Sequence, residues 1–302
     1  MGIGSSSNSN VNLSDTTKDT FQNKSILITG ASRGLGKSLA IALSKCNPSL
    51  LILSGRDEDA LKQVKLECIA ATSNRSMQVE IVTCDLSNKV SVEQLANTAI
   101  QLSSTSGGID ILINNGGISS RSSFLQTNIK VDEQLMQVNF FSGVMLAKKL
   151  IPTMVTNQNG GKVIWISSIQ GKLGTPYRTS YAASKFAVQG YCEALRSELA
   201  TSNVDVHVVS PGYIKTNLSL SAIMGDGKAY SKMDSTTANG ANADEVACTI
   251  LTSVANGKSD FVVAATLSAK IGLWLKFISP SFLESMLVKR FEKGQLETKK
   301  TE

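Results

Sequence analysis

Short β-branched runs alternate with long helical stretches along almost the whole chain, and no other feature restricts the fold as much. Strand-like runs fall at 25–29, 50–54, 79–83, 109–114, 162–167, 204–210 and 260–264. Helical patterns fill the gaps at 34–46, 57–72, 88–103, 131–156, 181–200 and 243–256. Strand, helix, strand in this rhythm calls for a parallel sheet, because each crossover returns the chain to the same sheet end and right-handed crossovers cover both faces. The expectation is an α/β fold, one doubly wound domain over 22–266 with a mostly parallel seven-stranded sheet. With 42% hydrophobic and 18% charged residues, the 302-residue chain can fill such a core, and no repeat or linker divides it.

The first strand runs into Thr29-Gly30-Ala31-Ser32-Arg33-Gly34-Leu35-Gly36 and then a helix. Glycines there let the backbone turn tightly and approach a pyrophosphate held at the helix N-terminus, as in Rossmann-type domains. The same loop spells G-x-S-x-G from Gly30 to Gly34, the pattern of a hydrolase nucleophile elbow. That chemistry needs a histidine on a downstream loop, and the single histidine, His207, falls inside a strand pattern. Dinucleotide domains place an acid at the tip of the second strand to hold the ribose 2′-hydroxyl. Here the tip reads Ser54-Gly55-Arg56, with Asp57 following and Arg33 in the first loop. Two guanidiniums at this position suit a 2′-phosphate, so NADP(H) is the expected cofactor.

The fifth strand ends at Ser167-Ser168, and thirteen residues after Ser168 comes Tyr181-Ala182-Ala183-Ser184-Lys185. On a helix, positions i and i+4 share a face, so Tyr181 and Lys185 project together. A phenol titrates near about 10 in water and a nearby ammonium favours its ionised form, which makes it a usable proton donor and acceptor.

Glycine loop, strand order, Ser168 and the Tyr181/Lys185 pair together resemble the short-chain dehydrogenase/reductase family over about residues 22–265. Met233-Asp234-Ser235-Thr236-Thr237-Ala238 with Gly240 extends the match to a narrower group of relatives. The resemblance implies a catalytic tetrad of Asn139 (in Val138-Asn139-Phe140), Ser168, Tyr181 and Lys185. It also implies cofactor contacts from Gly30, Ser32, Arg33, Gly34, Leu35 and Gly36, from Arg56, from Asp85 and Leu86 after the third strand, and from Asn115. Tyr181 and Lys185 add to these, with Pro211, Gly212, Ile214 and Thr216 holding the nicotinamide. Asn114-Asn115-Gly116-Gly117 matches a turn whose last residue is usually Ala in the family. The implied reaction is hydride delivery from NADPH to a carbonyl carbon. Tyr181 protonates the oxygen, Ser168 hydrogen-bonds it, Lys185 lowers the phenol pKa and holds the ribose, and Asn139 fixes a water. A homodimer is implied as well.

Beyond Gly212 the chain is apolar at Tyr213, Ile214, Leu218, Leu220, Ile223 and Met224, which suits a lipophilic carbonyl or alcohol substrate. By resemblance the substrate is steroid-, retinoid- or acyl-dihydroxyacetone-phosphate-like. Gln170, Arg178, Tyr213 and Leu218 are the substrate candidates, Arg178 toward an anionic headgroup. Two other readings stand beside the reductase. One is a non-catalytic NADP-binding protein acting through partners. The other is a nucleotide-sugar epimerase or dehydratase, which shares Tyr-Lys but usually carries GxxGxxG and a larger C-terminal domain.

No metal is expected. One histidine excludes a His-pair site, and the five cysteines form no CxxC pair and fit a reducing compartment. Of the +6 net charge, the segment after Ser268 supplies an excess through seven Lys/Arg against four Glu, which fits a membrane surface better than nucleic acid. Residues 1–21 read as a disordered arm that opens with no apolar run and carries Gly2 in a pattern for N-myristoylation. Residues 267–302 read as an apolar helical extension with a basic tail. It is suited to peripheral contact with the cytosolic face of an intracellular membrane, such as endoplasmic reticulum or peroxisome, or to packing on protein.

Overall fold

The computed structural model describes residues 13–157 and 160–299. Seven strands form one sheet: β1 (Ser25–Thr29), β2 (Leu50–Gly55), β3 (Gln78–Thr83), β4 (Ile111–Asn114), β5 (Gly161–Ile166), β6 (Val204–Pro211) and β7 (Asp260–Val263). Their order is β3-β2-β1-β4-β5-β6-β7 and every pairing is parallel, so the sheet is fully rather than mostly parallel. The order reverses between β1 and β4, and in such sheets ligands bind beyond the strand C-termini at that switch.

The core divides by the period of two along each strand. Ile26 and Ile28 of β1 belong to the cluster on one face, and Leu27 to the cluster on the other. The first face is covered by α2 (Gly34–Ser44), α3 (Glu58–Ala71) and α9 (Ala243–Ala255), each adding buried residues to the first cluster. The second is covered by α4 (Lys89–Leu102), α6 (Ser142–Thr156) and α7 (Thr179–Glu198), with Trp165 of β5 beneath them.

Three expectations change. The helix expected over 131–156 is broken into α5 (Ile129–Met136), a π-helical turn Gln137–Phe141 and α6. Such inserted turns are frequent at functional sites, and this one holds Asn139. The arm expected to run to residue 21 ends earlier. Helix α1 (Asp15–Phe21) packs on α9, with Phe21 fully buried and the Thr17 hydroxyl donating to Thr252 Oγ1 at 3.3 Å. Ser14 caps this helix, and a buried aromatic anchors it. Third, the extension after 266 is a hairpin of α10 (Leu267–Ile278) and α11 (Pro280–Lys299). Gly2 lies outside the described residues. The short α8 (Ser235–Ala238) sits in the segment between β6 and α9.

Candidate active site

A cleft of about 640 Å³ opens at the C-terminal ends of the central strands. Every residue expected to meet cofactor or substrate lines it, Gln170, Tyr213 and Leu218 included, while Asn139 lies behind it.

At the cofactor end the glycine requirement is geometric. Gly30 has φ +66°, and a Cβ there would lie 2.7 Å from the Gly116 Cα; one on Gly36 would lie 2.1 Å from the Gly30 carbonyl oxygen. Either substitution forces the loop off the turn that follows β4. Asn115 ties the two together, its amide donating to the Thr29 carbonyl at 2.9 Å and the Gly30 carbonyl at 3.2 Å. It thus holds the loop in place as well as lining the cleft. The N-termini of α3, α4, α5 and α9 are capped by Asp57, Asn88, Asn128 and Asn242, whereas α2 begins at Arg33 with no side-chain cap. Uncapped N–H groups facing a cleft form an anion seat, and a dinucleotide pyrophosphate fits that donor set. Arg33 and Arg56 are exposed on the rim. Among the described residues Asp57 makes no ion pair with either; its carboxylate accepts from the Ala60 N–H at 3.0 Å as the cap of α3. Asp85 accepts from the Ser87 N–H and hydroxyl, and Leu86 packs over Gly116. Thr216, beyond Pro211, Gly212 and Ile214, brings its methyl over Gly34, so the chain after β6 closes over the loop.

Tyr181 and Lys185 share the buried face of α7, with Lys185 Nζ 5.9 Å from the Tyr181 ring centroid. Burial holds the Tyr181 phenol above its ordinary pKa, opposed by a hydrogen bond from Ser168 and by the charges of Arg178 and Arg121. The Lys185 ammonium is pushed down to about 8 by burial alone. Of its three donors, one goes to the Ile166 carbonyl at 2.9 Å. The Ser168 hydrogen bond and the charges of Arg178 and Arg121 are thus what draws the phenol down here.

Asn139 acts on backbone. Its Oδ1 accepts from Ile118 N–H at 2.8 Å, and its Nδ2 donates to the Ile118 carbonyl and to Ser184 Oγ, both at 2.9 Å. With both amide protons spent, it fixes the turn after β4 against α7. A Cβ on Gly117 would sit 3.1 Å from Asn139 Oδ1 and 3.6 Å from Lys185 Nζ. The departure from alanine thus opens space between two catalytic candidates.

At the substrate end Arg178 belongs to a cluster invisible in the sequence. Arg121 and Arg178 both pair with Asp234, Arg121 through Nε at 2.8 Å and also through Nη2, Arg178 through Nη2 at 3.2 Å. Arg121 also donates to Ser119 Oγ and the Ser120 carbonyl, and its guanidinium stands 5.9 Å from the Tyr230 ring centroid. Two cations share one carboxylate. Burial, then repulsion from Arg121, lowers Arg178 to about 10. Arg121 and Asp234 lie 113 positions apart, so no local signal marks them as partners. Gln170 also lines the cleft, buried, with no partner for its Oε1 among the described residues. His207 sits inside β6 with Nδ1 2.8 Å from the Lys258 carbonyl, and it does not line the cleft, which removes the hydrolase reading of the Gly30 to Gly34 pattern.

A dinucleotide cradle that leads into a buried Ser-Tyr-Lys group at a topological switch defines a nicotinamide-dependent oxidoreductase. The family model described as short chain dehydrogenase matches residues 24–223, and this chain belongs to that family. The Dehydrogenase/reductase SDR family member 7B of Xenopus laevis is 40% identical over 270 residues, which cover 89% of this chain and 82% of the relative. Among solved structures, a short chain dehydrogenase of Burkholderia cenocepacia in complex with NADP is similar at 25% identity and TM-score 0.68, covering 88% of this chain and 98% of that one. A dehydrogenase/reductase of Burkholderia phymatum in complex with NAD shares the fold at TM-score 0.69 and 22% identity, over 80% and 89% of the chains.

Proposed function

We propose that the protein interconverts a carbonyl and an alcohol on a lipophilic substrate with NADP(H). The observation that carries this reading is Tyr181, buried between Ser168 and Lys185 in a cleft continuous with the dinucleotide cradle. When bound, the reduced nicotinamide supplies the hydride. The chain does the rest. Ser168 and Tyr181 hydrogen-bond the carbonyl oxygen, and the Tyr181 proton passes to that oxygen as the C–O bond becomes single. A phenol kept above its ordinary pKa stays protonated at neutral pH, as an acid for reduction must. Lys185 holds the cofactor ribose and returns a proton to Tyr181. In oxidation Tyr181 serves as base, so that direction speeds up as pH rises. A panel of lipid ketones and aldehydes, followed by loss of NADPH absorbance, tests the proposal. Cofactor binding without turnover across the panel would favour a binding protein instead.

Arg33 and Arg56 support NADP(H), since planar guanidiniums at the strand tip pair with a 2′-phosphate. NADPH is expected to exceed NADH at least tenfold in kcat/KM, about 1.4 kcal/mol, and Arg56→Asp to narrow or reverse this. Equal use of the two cofactors by the unaltered protein would overturn the assignment.

The substrate is further expected to carry an anionic group, because among the described residues the Arg121/Arg178 pair has the one carboxylate of Asp234 for its two charges. On a β-keto acid and its methyl ester, Arg178→Gln should cut the acid:ester ratio of kcat/KM about tenfold. A ratio that does not move removes the anionic group from the substrate reading.

A further inference from the structure

The C-terminal hairpin is amphipathic in the wrong sense for a helix packed on its own domain. Leu267, Ile271, Trp274, Phe277, Ile278 and Phe282 are 48–81% exposed. Four of them, Leu267, Ile271, Trp274 and Ile278, recur at i, i+4, i+7 and i+11 and so form one stripe along α10. A stripe of this kind ordinarily faces the core. Here α10 docks through its opposite side. Gly272 is buried, where a Cβ would lie 3.0 Å from Leu173 Cδ2. Lys276 donates to the Lys172 carbonyl at 2.8 Å, its Nζ 4.7 Å from the Phe186 ring centroid. Helix α11 docks through Leu283 and Phe291, the Phe291 ring centroid 5.1 Å from that of Tyr177, and leaves Phe282 and Met286 outward. A contiguous exposed apolar surface of this kind marks a contact.

Charge decides between occupants. From 267 to 293 four exposed Lys/Arg, Lys270, Lys289, Arg290 and Lys293, stand against two acids, Glu284 and Glu292, and within this segment no acid precedes Glu284. A second copy of this face would bring like charges together, whereas an anionic lipid surface complements them. The geometry points to a lipid-docking hairpin: α10 and α11 lie in the headgroup region of an anionic bilayer, the apolar stripe inward and exposed Lys270, Lys289 and Arg290 at the phosphates. Among the described residues no helix is long and apolar enough to cross a membrane, so the hairpin lies on the bilayer. Tyr177, braced by Phe291 through ring contact and an Oη hydrogen bond to its carbonyl at 3.3 Å, directly precedes Arg178 of the cleft. Docking therefore holds the substrate side of the cleft near the lipid.

The two tryptophans make the test direct, because Trp165 is 2% exposed and Trp274 is 70% exposed. Vesicles of phosphatidylcholine alone or with roughly a third phosphatidylserine are added to the full chain at low salt, and tryptophan emission and co-sedimentation are read. The expected result is a blue shift with co-sedimentation, stronger on the anionic vesicles and retained in Gly2→Ala, where no N-terminal acyl chain can form. Trp274→Ala/Phe277→Ala should weaken co-sedimentation about tenfold or more, and Lys289→Glu/Arg290→Glu should remove the anionic preference. No shift on either vesicle, loss of binding in Gly2→Ala, or a lipid-free shift that tracks dimerisation would each overturn the proposal, the last assigning the face to a second copy. Binding is read without turnover, so its failure leaves the proposed reaction untouched.

Discussion

Tyr181→Phe is expected to lower turnover by about 10³-fold or more, the upper part of what a positioned general acid supplies, while NADPH affinity stays within a few-fold. The ring is buried and stays in place, so the substitution deletes the proton donor and little packing. The phenol's raised pKa fixes the sign of the pH dependence in the unaltered protein. Reduction, which needs the protonated form, holds through neutral pH and falls as the phenol ionises. Oxidation, which needs the phenolate, rises over the same range. Single-turnover kinetics with NADPH and a reactive ketone separate the proton-transfer step from binding. Near-full reduction by Tyr181→Phe would dismiss this mechanism.

Lys185→Met is expected to abolish turnover and at the same time stabilise the fold. The ammonium is buried, its pKa falls from 10.5 to about 8 through burial alone, and one carbonyl at 2.9 Å compensates it. Replacement by an apolar chain of similar length removes a charge the apo-protein holds at a loss, on the order of 2 kcal/mol. Because the folded pKa lies below the unfolded one, the unfolded chain binds the extra proton between about 8 and 10.5. Stability of the unaltered protein therefore gains from this group as pH rises through that window, and the burden is present in full below it. Lys185→Met should lose that rise. Urea unfolding at pH 7 and pH 10 reads both effects. A variant that is less stable at pH 7 would show that the ammonium is held by contacts worth more than its desolvation.

The glycine loop and Tyr181 with Lys185 were legible because each is local. A turn that needs Gly30 and Gly36, and a helical i, i+4 pair, are set by neighbours in the chain. The alternation of runs likewise fixed the parallel sheet, since a strand whose two faces both pack is apolar through its middle, as Ile26-Leu27-Ile28 of β1 are. Asn139 was legible only in part. The sequence places it on a helix, but the π-helical turn that aims its amide at Ile118 and Ser184 comes from packing between α5, α6 and α7. Helix α1 was hidden because a Ser/Asn-rich start reads as solvated, and only burial of Phe21 reveals its anchor.

What the sequence determined by itself is therefore the parallel sheet, the glycine loop and the Tyr181/Lys185 pair, which follow from backbone geometry and short-range spacing, while Ser168 entered through the family resemblance and the switch point came with the strand order. What the tertiary structure alone decided is charge and orientation. Arg121, Arg178 and Asp234 meet only because the turn after β4, the start of α7 and the segment after β6 converge over one cleft. Asp57 serves as the cap of α3 and forms no ion pair with Arg56 among the described residues. The apolar character of α10 was plain in the sequence, yet its outward direction was not, because composition shows that a helix has something to bury and only docking decides which face the domain covers.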